Sequence, residues 1–84
     1  MAEIAYRIRR NEHYTGSKDK TIRKIEGVYR SLEHLEQVVK QAGTFQFSNL
    51  PDGTMRLYDM DETMEKIEAD TAGQFAVATI ELVS

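Results

Sequence analysis

Between residues 22 and 42, apolar residues recur every three or four positions. They are Ile22, Ile25, Val28, Tyr29, Leu32, Leu35, Val38, Val39 and Ala42. At about 100° per residue these positions lie on one face of an α-helix. Lys40 lies where a cation favours the last turn, and Gly43 follows as a stop signal. The pattern predicts one amphipathic helix over residues 22–42, with Ile25, Leu32, Leu35 and Val39 buried.

Gly27 is the weak point of this predicted helix. A glycine in a helix interior costs about 1 kcal/mol relative to alanine. Ser31 is a good N-cap residue, so a second helix could start there. A break after Tyr29 is therefore the alternative to one continuous helix.

The segments on either side of the helix alternate between apolar and polar residues, as strands with one buried face do. This alternation covers residues 3–9, then residues 45–47 and 55–57. The turn-forming residues of 49–53 separate the last two segments and predict a hairpin. Residues 74–83 are apolar on both faces, which suits a well-covered strand.

Helical spacing returns in residues 61–71, and Gly73 supplies a terminator. The predicted order is strand, helix, strand, strand, helix, strand. A four-stranded antiparallel sheet with two helices on one face accommodates this β-α-β-β-α-β order as a single α+β domain, residues 1–84, in a ferredoxin-like arrangement. If residues 60–70 extend the third strand, the fold becomes one long helix packed on a β-meander.

The composition narrows the class of protein. The chain has 84 residues and no cysteine, which excludes disulfides, thiolate metal ligands and cysteine nucleophiles. No segment has the pattern of a signal peptide or of a membrane span, so we expect a cytoplasmic protein without a membrane partner.

Charge is divided unevenly along the chain. Through Arg30 there are eight basic and four acidic residues, whereas the remainder has three basic and ten acidic ones. The formal net charge of −3 conceals this division. The asymmetry predicts a polarised surface, or two halves that neutralise each other on folding.

The first candidate site is a basic pole, where the first strand ends and the long helix begins. It comprises Arg9, Arg10, Lys18, Lys20, Arg23 and Lys24. Cations oppose the dipole at a helix N-terminus, and a bound phosphate or carboxylate would offset this repulsion. The pole is thus a candidate site for phosphate or nucleic acid, unless the protein's own carboxylates neutralise it.

The second candidate is an acidic face on the predicted second helix, formed by Asp61, Glu62, Glu65 and Glu68. It could present itself to a basic protein in place of nucleic-acid phosphates, or it could be the solvated side of an amphipathic helix.

The third candidate is a sheet face with Arg7, Arg56 and Tyr58 pointing away from the helices. Single-strand RNA platforms use several stacking aromatics, and a sheet–sheet homodimer contact explains this face equally well.

Catalytic signals are absent from the sequence. His13 and His34 do not have metal-ligand spacing, and there is no nucleophile motif or dinucleotide fingerprint. We expect no enzymatic activity, no metal and no cofactor.

The leading hypothesis is a macromolecular binding module, namely a small regulator, inhibitor or accessory subunit that contacts another protein through a charge-polarised surface. The alternative is a protein that binds nucleic acid or phosphate through the basic pole.

Overall fold

The structure is a computed structural model that describes residues 4–83. Its elements are β1 (Ala5–Arg10), α1 (Asp19–Ile25), β2 (Gly27–Tyr29), α2 (Leu32–Ala42), β3 (Phe45–Asn49), β4 (Met55–Asp59), α3 (Met64–Ala69) and β5 (Ala78–Val83). The strands form one sheet in the order β2-β1-β5-β4-β3. Every neighbouring pair is antiparallel.

The α+β class and the single antiparallel sheet are confirmed, but the predicted arrangement is wrong in two respects. The sheet has five strands rather than four, and its order differs from the ferredoxin-like one because β5 lies between β1 and β4. There are three helices in the described chain, not two. The alternative fold is also wrong, because residues 22–42 do not form one helix and α3 occupies part of residues 60–70.

The long helix is interrupted at Gly27. This residue has φ +149°, a conformation that favours glycine, and the preceding Glu26 is already extended. Val28 and Tyr29, which both favour strands, then pair with β1. The alternative placed the break after Tyr29, whereas the helix ends before Gly27 and residues 27–29 become a strand.

The predicted role of Ser31 is confirmed. Its side-chain oxygen accepts a hydrogen bond of 3.1 Å from the backbone N–H of His34, which caps the start of α2. At the other end, Gly43 adopts the left-handed conformation with φ +72°. Both signals that bound the second half of the predicted helix therefore act as expected.

Replacing Gly27 with alanine should lower the free energy of unfolding by about 1 to 3 kcal/mol. A Cβ built there meets no heavy atom within 4 Å, so the cost arises from the backbone conformation alone. Urea unfolding measures the effect, and Gln37→Ala on the exposed side of α2 serves as a control that should be nearly neutral. A Gly27→Ala protein as stable as the control would contradict this account.

The main core lies between one face of the sheet, here called the inner face, and helices α1 and α2. Its buried members are Ile8, Ile22, Leu35, Val39, Phe45, Leu57, Val77, Ala78 and Ile80. Leu35 and Val39 are buried as predicted. Ile25 and Leu32 are only partly buried and pack against the edge of this cluster.

Helix α3 packs on the opposite, outer face. Tyr58, Ile67 and Ala76 form a second buried cluster there. Because Leu57 belongs to the inner core, its strand neighbour Tyr58 must point to the other side of the sheet. The prediction that all helices share one face is therefore wrong, because α3 covers the outer face of the β3–β4 half.

The predicted hairpin is confirmed by the pairing of β3 with β4, in which Phe47 lies opposite Leu57 and Asn49 opposite Met55. Its turn is stabilised by Asp52, whose Oδ1 accepts hydrogen bonds from the Thr54 N–H and hydroxyl. Within residues 4–83, no helix has the length and apolar character needed to cross a bilayer.

Candidate functional site

Helix α3 carries two of the four residues of the predicted acidic face, Glu65 and Glu68, whereas Asp61 and Glu62 lie just before it. It is held at both ends although it spans only six residues. At its start, the Thr63 hydroxyl accepts a 3.3 Å hydrogen bond from the N–H of Lys66. Ile67 is buried on the side that faces the sheet. A helix this short is unstable in isolation, so its position depends on these contacts.

Asp70 fixes the end of α3 and is a buried charged residue, with only 6% of its surface exposed. Its carboxylate accepts hydrogen bonds from the Tyr58 hydroxyl at 2.9 Å, from the Gln74 N–H at 2.7 Å and from the Phe75 N–H at 3.0 Å. Burial by itself would raise the pKa of Asp70. The three hydrogen bonds and the positive charge of Arg56 together outweigh burial and hold this pKa below its usual value.

The same region is tied to the sheet by two further polar side chains. The Arg56 guanidinium donates to the carbonyl oxygens of Asp70 at 2.8 Å and Thr71 at 3.1 Å. The Gln46 amide donates to the carbonyl oxygens of Asp59 at 2.9 Å and Glu62 at 3.1 Å. These ties hold the segments before and after α3 against the outer face of β3 and β4.

The acidic face keeps three unpaired carboxylates. Asp61, Glu65 and Glu68 are exposed and form no ion pair with any cation of residues 4–83. Glu62 differs, because its carboxylate lies 3.5 Å from the ammonium of Lys66. The Lys66 ammonium also lies 4.5 Å from the centroid of the Phe75 ring, on the side of α3 away from Glu68. One of the four predicted carboxylates is thus paired with a described cation, and the other three are not.

Apolar side chains are exposed among these carboxylates. Met60, Met64 and Phe75 have 55%, 61% and 49% of their surface accessible, and all three lie on α3 or on the segments that flank it. Methionine is unbranched and flexible, so it can adapt to different apolar partners. Sequence reasoning took the exposed side of this amphipathic helix to be charged and missed the exposed apolar part of its surface.

A groove of about 330 Å³ separates α3 from β3, and we call it the α3–β3 groove. Its lining residues are Gln46, Phe47, Ser48, Asn49, Met64, Ile67 and Glu68. Glu68 is the one charged residue in this lining. The groove therefore combines three apolar side chains, those of Phe47, Met64 and Ile67, with polar ones and a single carboxylate.

Three of the six cations of the basic pole are paired with the protein's own carboxylates. Asp19 lies 3.1 Å from the Arg10 guanidinium and 2.7 Å from that of Arg23. Arg9 forms a 3.2 Å ion pair with Glu81.

The six cations of the basic pole do not all lie on the same side of the sheet, as the prediction required. Ile8 points into the inner core beside α1, so the adjacent Arg9 points to the outer face.

Three cations of the basic pole keep their charge unpaired. Lys18, Lys20 and Lys24 form no ion pair within the described part of the chain. Lys20 and Lys24 are exposed, whereas Lys18 is half-buried at the start of α1. What remains of the predicted pole is a lysine patch on α1.

The predicted sheet face does not form a stacking platform. Tyr58 points to the outer face as expected, but α3 covers it and it is fully buried. Burial raises the pKa of its phenol, which remains a protonated donor to Asp70. Arg56 is half-buried and bonded to main-chain carbonyls, so of these three predicted residues only Arg7 is exposed.

No three His, Asp or Glu side chains of residues 4–83 are grouped as a metal site. The His34 ring makes an edge contact with Tyr29 at 5.4 Å, and the imidazole of His13 is mostly exposed. A cleft of about 650 Å³ lies between β5 and the β3–β4 turn and is mainly apolar. Its one carboxylate, that of Glu81, is already paired with Arg9.

Comparison with protein-family models, curated proteins and solved structures finds no match to this chain. The functional argument therefore rests on the geometry of the sites described above.

Proposed function

We propose that this chain is a non-enzymatic binding module that docks a basic segment of another protein on its acidic face. The observation that carries the proposal is the set of exposed carboxylates on Asp61, Glu65 and Glu68, which no described cation neutralises. A basic partner would supply the missing counter-charges, and complementary potentials speed association and select partners.

The attachment of α3 supports the same function. Asp70, Thr63 and Gln46 hold this short helix through hydrogen bonds at both ends, so its carboxylates are presented on a fixed frame. Binding groups that are already ordered lose less conformational entropy when a partner arrives. The exposed Met60 and Met64 add apolar surface beside the carboxylates, and exposed apolar surface rimmed by polar residues is typical of a binding site.

The proposal can be tested with an octalysine peptide as the probe. Glu65→Gln with Glu68→Gln should weaken binding about tenfold at low salt, since two ion pairs of up to 1 kcal/mol each are lost. Affinity of the unmodified protein should fall with added salt, and more steeply than that of this double variant. Fluorescence anisotropy across a salt series measures both quantities.

The matched control is Glu12→Gln with Glu33→Gln. It makes the same change in net charge at two exposed glutamates, one of which lies in the first turn of α2 as Glu65 does in α3. The control should bind octalysine within about twofold of the unmodified protein. Equal losses in the two double variants would show that binding follows net charge, and the proposal would fail.

A second candidate function rests on the lysine patch of α1. Lys18, Lys20 and Lys24 form no ion pair within residues 4–83 and could contact phosphates of a nucleic acid. Replacing all three with glutamine should then abolish salt-sensitive binding to a duplex DNA probe. Absence of such binding in the unmodified protein would eliminate this candidate and leave the acidic face.

A further inference from the structure

We propose that the basic partner binds as an extended strand that pairs with the free edge of β3 and alternates basic with apolar residues. This inference rests on the proposed function, because Glu68 of the acidic face lines the site. It adds the conformation and the residue pattern of the partner.

The hydrogen-bond phase of β3 identifies the groups available for pairing. The Met60 N–H donates to the Thr44 carbonyl at 2.9 Å, and the Leu50 N–H donates to the Thr54 carbonyl at 2.8 Å. In an antiparallel ladder, bonded and non-bonded pairs alternate. The even-numbered residues from 44 to 50 thus bond to β4. The odd-numbered ones point their N–H and C=O groups away from it.

These outward groups belong to Phe45, Phe47 and Asn49. They have no hydrogen-bond partner within residues 4–83, because β3 is the last strand of the sheet. Proteins commonly protect such an edge with a charged residue, a proline or a very short strand. The five residues of β3, Phe-Gln-Phe-Ser-Asn, have none of these protections, whereas the opposite edge strand β2 has only three residues.

The α3–β3 groove follows this same edge. Four consecutive residues, 46 to 49, contribute to its lining. Successive side chains of a strand point to opposite faces, so a cleft touched by all four runs along the strand's edge rather than over one face. An added strand would occupy this groove and complete the sheet.

The charges beside the groove specify the partner. Glu68 lines it, Glu65 lies one residue beyond Met64 on the same helix, and no Lys or Arg is among the lining residues. Side chains of the added strand that face α3 would therefore be Lys or Arg. The alternate side chains face the other side, next to the half-buried Phe47, and would be apolar.

A second copy of this chain fits less well than a basic partner. Two β3 edges paired about a twofold axis would place both α3 helices on the same side of a continuous sheet. The unpaired carboxylates of the two acidic faces would then approach one another, and like charges repel. Charge complementarity therefore selects a different, basic strand.

The first test uses a nine-residue peptide in which lysine alternates with valine, and two N-methylated forms of it. One form is methylated on the lysine amides and the other on the valine amides. Each blocks hydrogen bonding along one edge of the peptide and leaves charge and side chains unchanged. Strand addition predicts that one form loses about tenfold or more in affinity and that the other keeps it.

Amide hydrogen exchange supplies a readout that charge alone would not change. On addition of the unmethylated peptide, the amides of Phe45, Phe47 and Asn49 should become protected. Those of Gln46 and Ser48 should change little, because they already bond to β4. Protection that does not follow this odd–even pattern would overturn strand addition.

A variant of the protein tests the same edge by changing β3 instead of the peptide. Asn49→Pro removes an outward N–H and is compatible with an edge position, since the bond to β4 involves Leu50. It should weaken binding of the lysine–valine peptide about tenfold while octalysine binding is retained. If this variant fails to fold, the methylated peptides and the exchange pattern still decide the question.

The outcomes separate the two proposals. Equal binding of all three peptides, with dependence on Glu65 and Glu68, overturns strand addition and leaves the proposed function standing. Binding indifferent to both glutamates overturns both. A concentration-dependent dimer in sedimentation, with Phe47 and Asn49 already protected without peptide, would show that a second copy occupies the edge and would overturn this inference.

Discussion

Replacing Asp70 with asparagine should lower the free energy of unfolding by about 2 to 4 kcal/mol. The three groups that donate to Asp70 are those of Tyr58, Gln74 and Phe75. Asparagine keeps the shape of the side chain but turns one acceptor oxygen into an NH₂ group. At least one buried donor would then face another donor, and an unsatisfied buried group is expensive. Urea unfolding at neutral pH measures the loss.

Two neighbouring variants calibrate this result. Tyr58→Phe removes one donor and keeps the carboxylate, so it should cost about 1 kcal/mol. Asp61→Asn changes an exposed carboxylate and should alter stability by less than about 0.5 kcal/mol. An Asp70→Asn protein as stable as the Asp61→Asn protein would show that the buried hydrogen bonds contribute little.

The contribution of Asp70 should also make the stability of the protein depend on pH. The folded protein holds the pKa of Asp70 below its usual value, near 3.9 in unfolded chains. Asp70 therefore contributes stability that is fully present above about pH 4 and is lost as pH falls through the lower pKa of the folded state. Urea midpoints measured from pH 6 downward should fall on acidification, and they should fall less in the Asp70→Asn protein.

The second large effect is expected at Leu35. This side chain is fully buried in the inner core beside Ile22, so Leu35→Ala should cost about 2 to 5 kcal/mol. Leu32 is one turn earlier and lies at the wall of the cleft near β5, where it is only partly buried. Its replacement by alanine should cost clearly less. Comparison of the two urea transitions gives the answer, and equal losses would place Leu32 in the core as well.

The contrast between α2 and β2 explains where sequence reasoning succeeded. The second half of the predicted helix is correct because its cap at Ser31 and its terminator at Gly43 are local signals. Val28 and Tyr29 fit a helical face and a strand equally well. Their pairing with β1 decides between the two, and β1 is about 20 residues away along the chain. Gly27 and the N-cap residue Ser31 were the local indications of a break, and neither indicated a strand.

The candidate site was predictable to a similar extent. The acidic face could be located from residue spacing. Which charges are neutralised depends on the fold, because it sets the ion pairs of Glu62 with Lys66 and of Asp19 with Arg10 and Arg23. In sequence, Asp70 is one more charge after an acidic helix. It is buried because Tyr58, from a strand twelve positions earlier, and the loop after α3 close around it.

The way α3 is attached also determines how this molecule fluctuates. The inner core joins two helices to the sheet through nine buried side chains, whereas α3 has a small apolar cluster and a few hydrogen bonds. Segments held in this way open locally at a lower free energy than the rest of a domain. We therefore expect α3 to detach from the sheet before the inner core unfolds, and acid should favour its release by protonating Asp70. A ligand in the α3–β3 groove would bind only the form in which α3 is attached to the sheet. Its binding would therefore stabilise that form, and its measured affinity would fall as the fraction of detached protein rises.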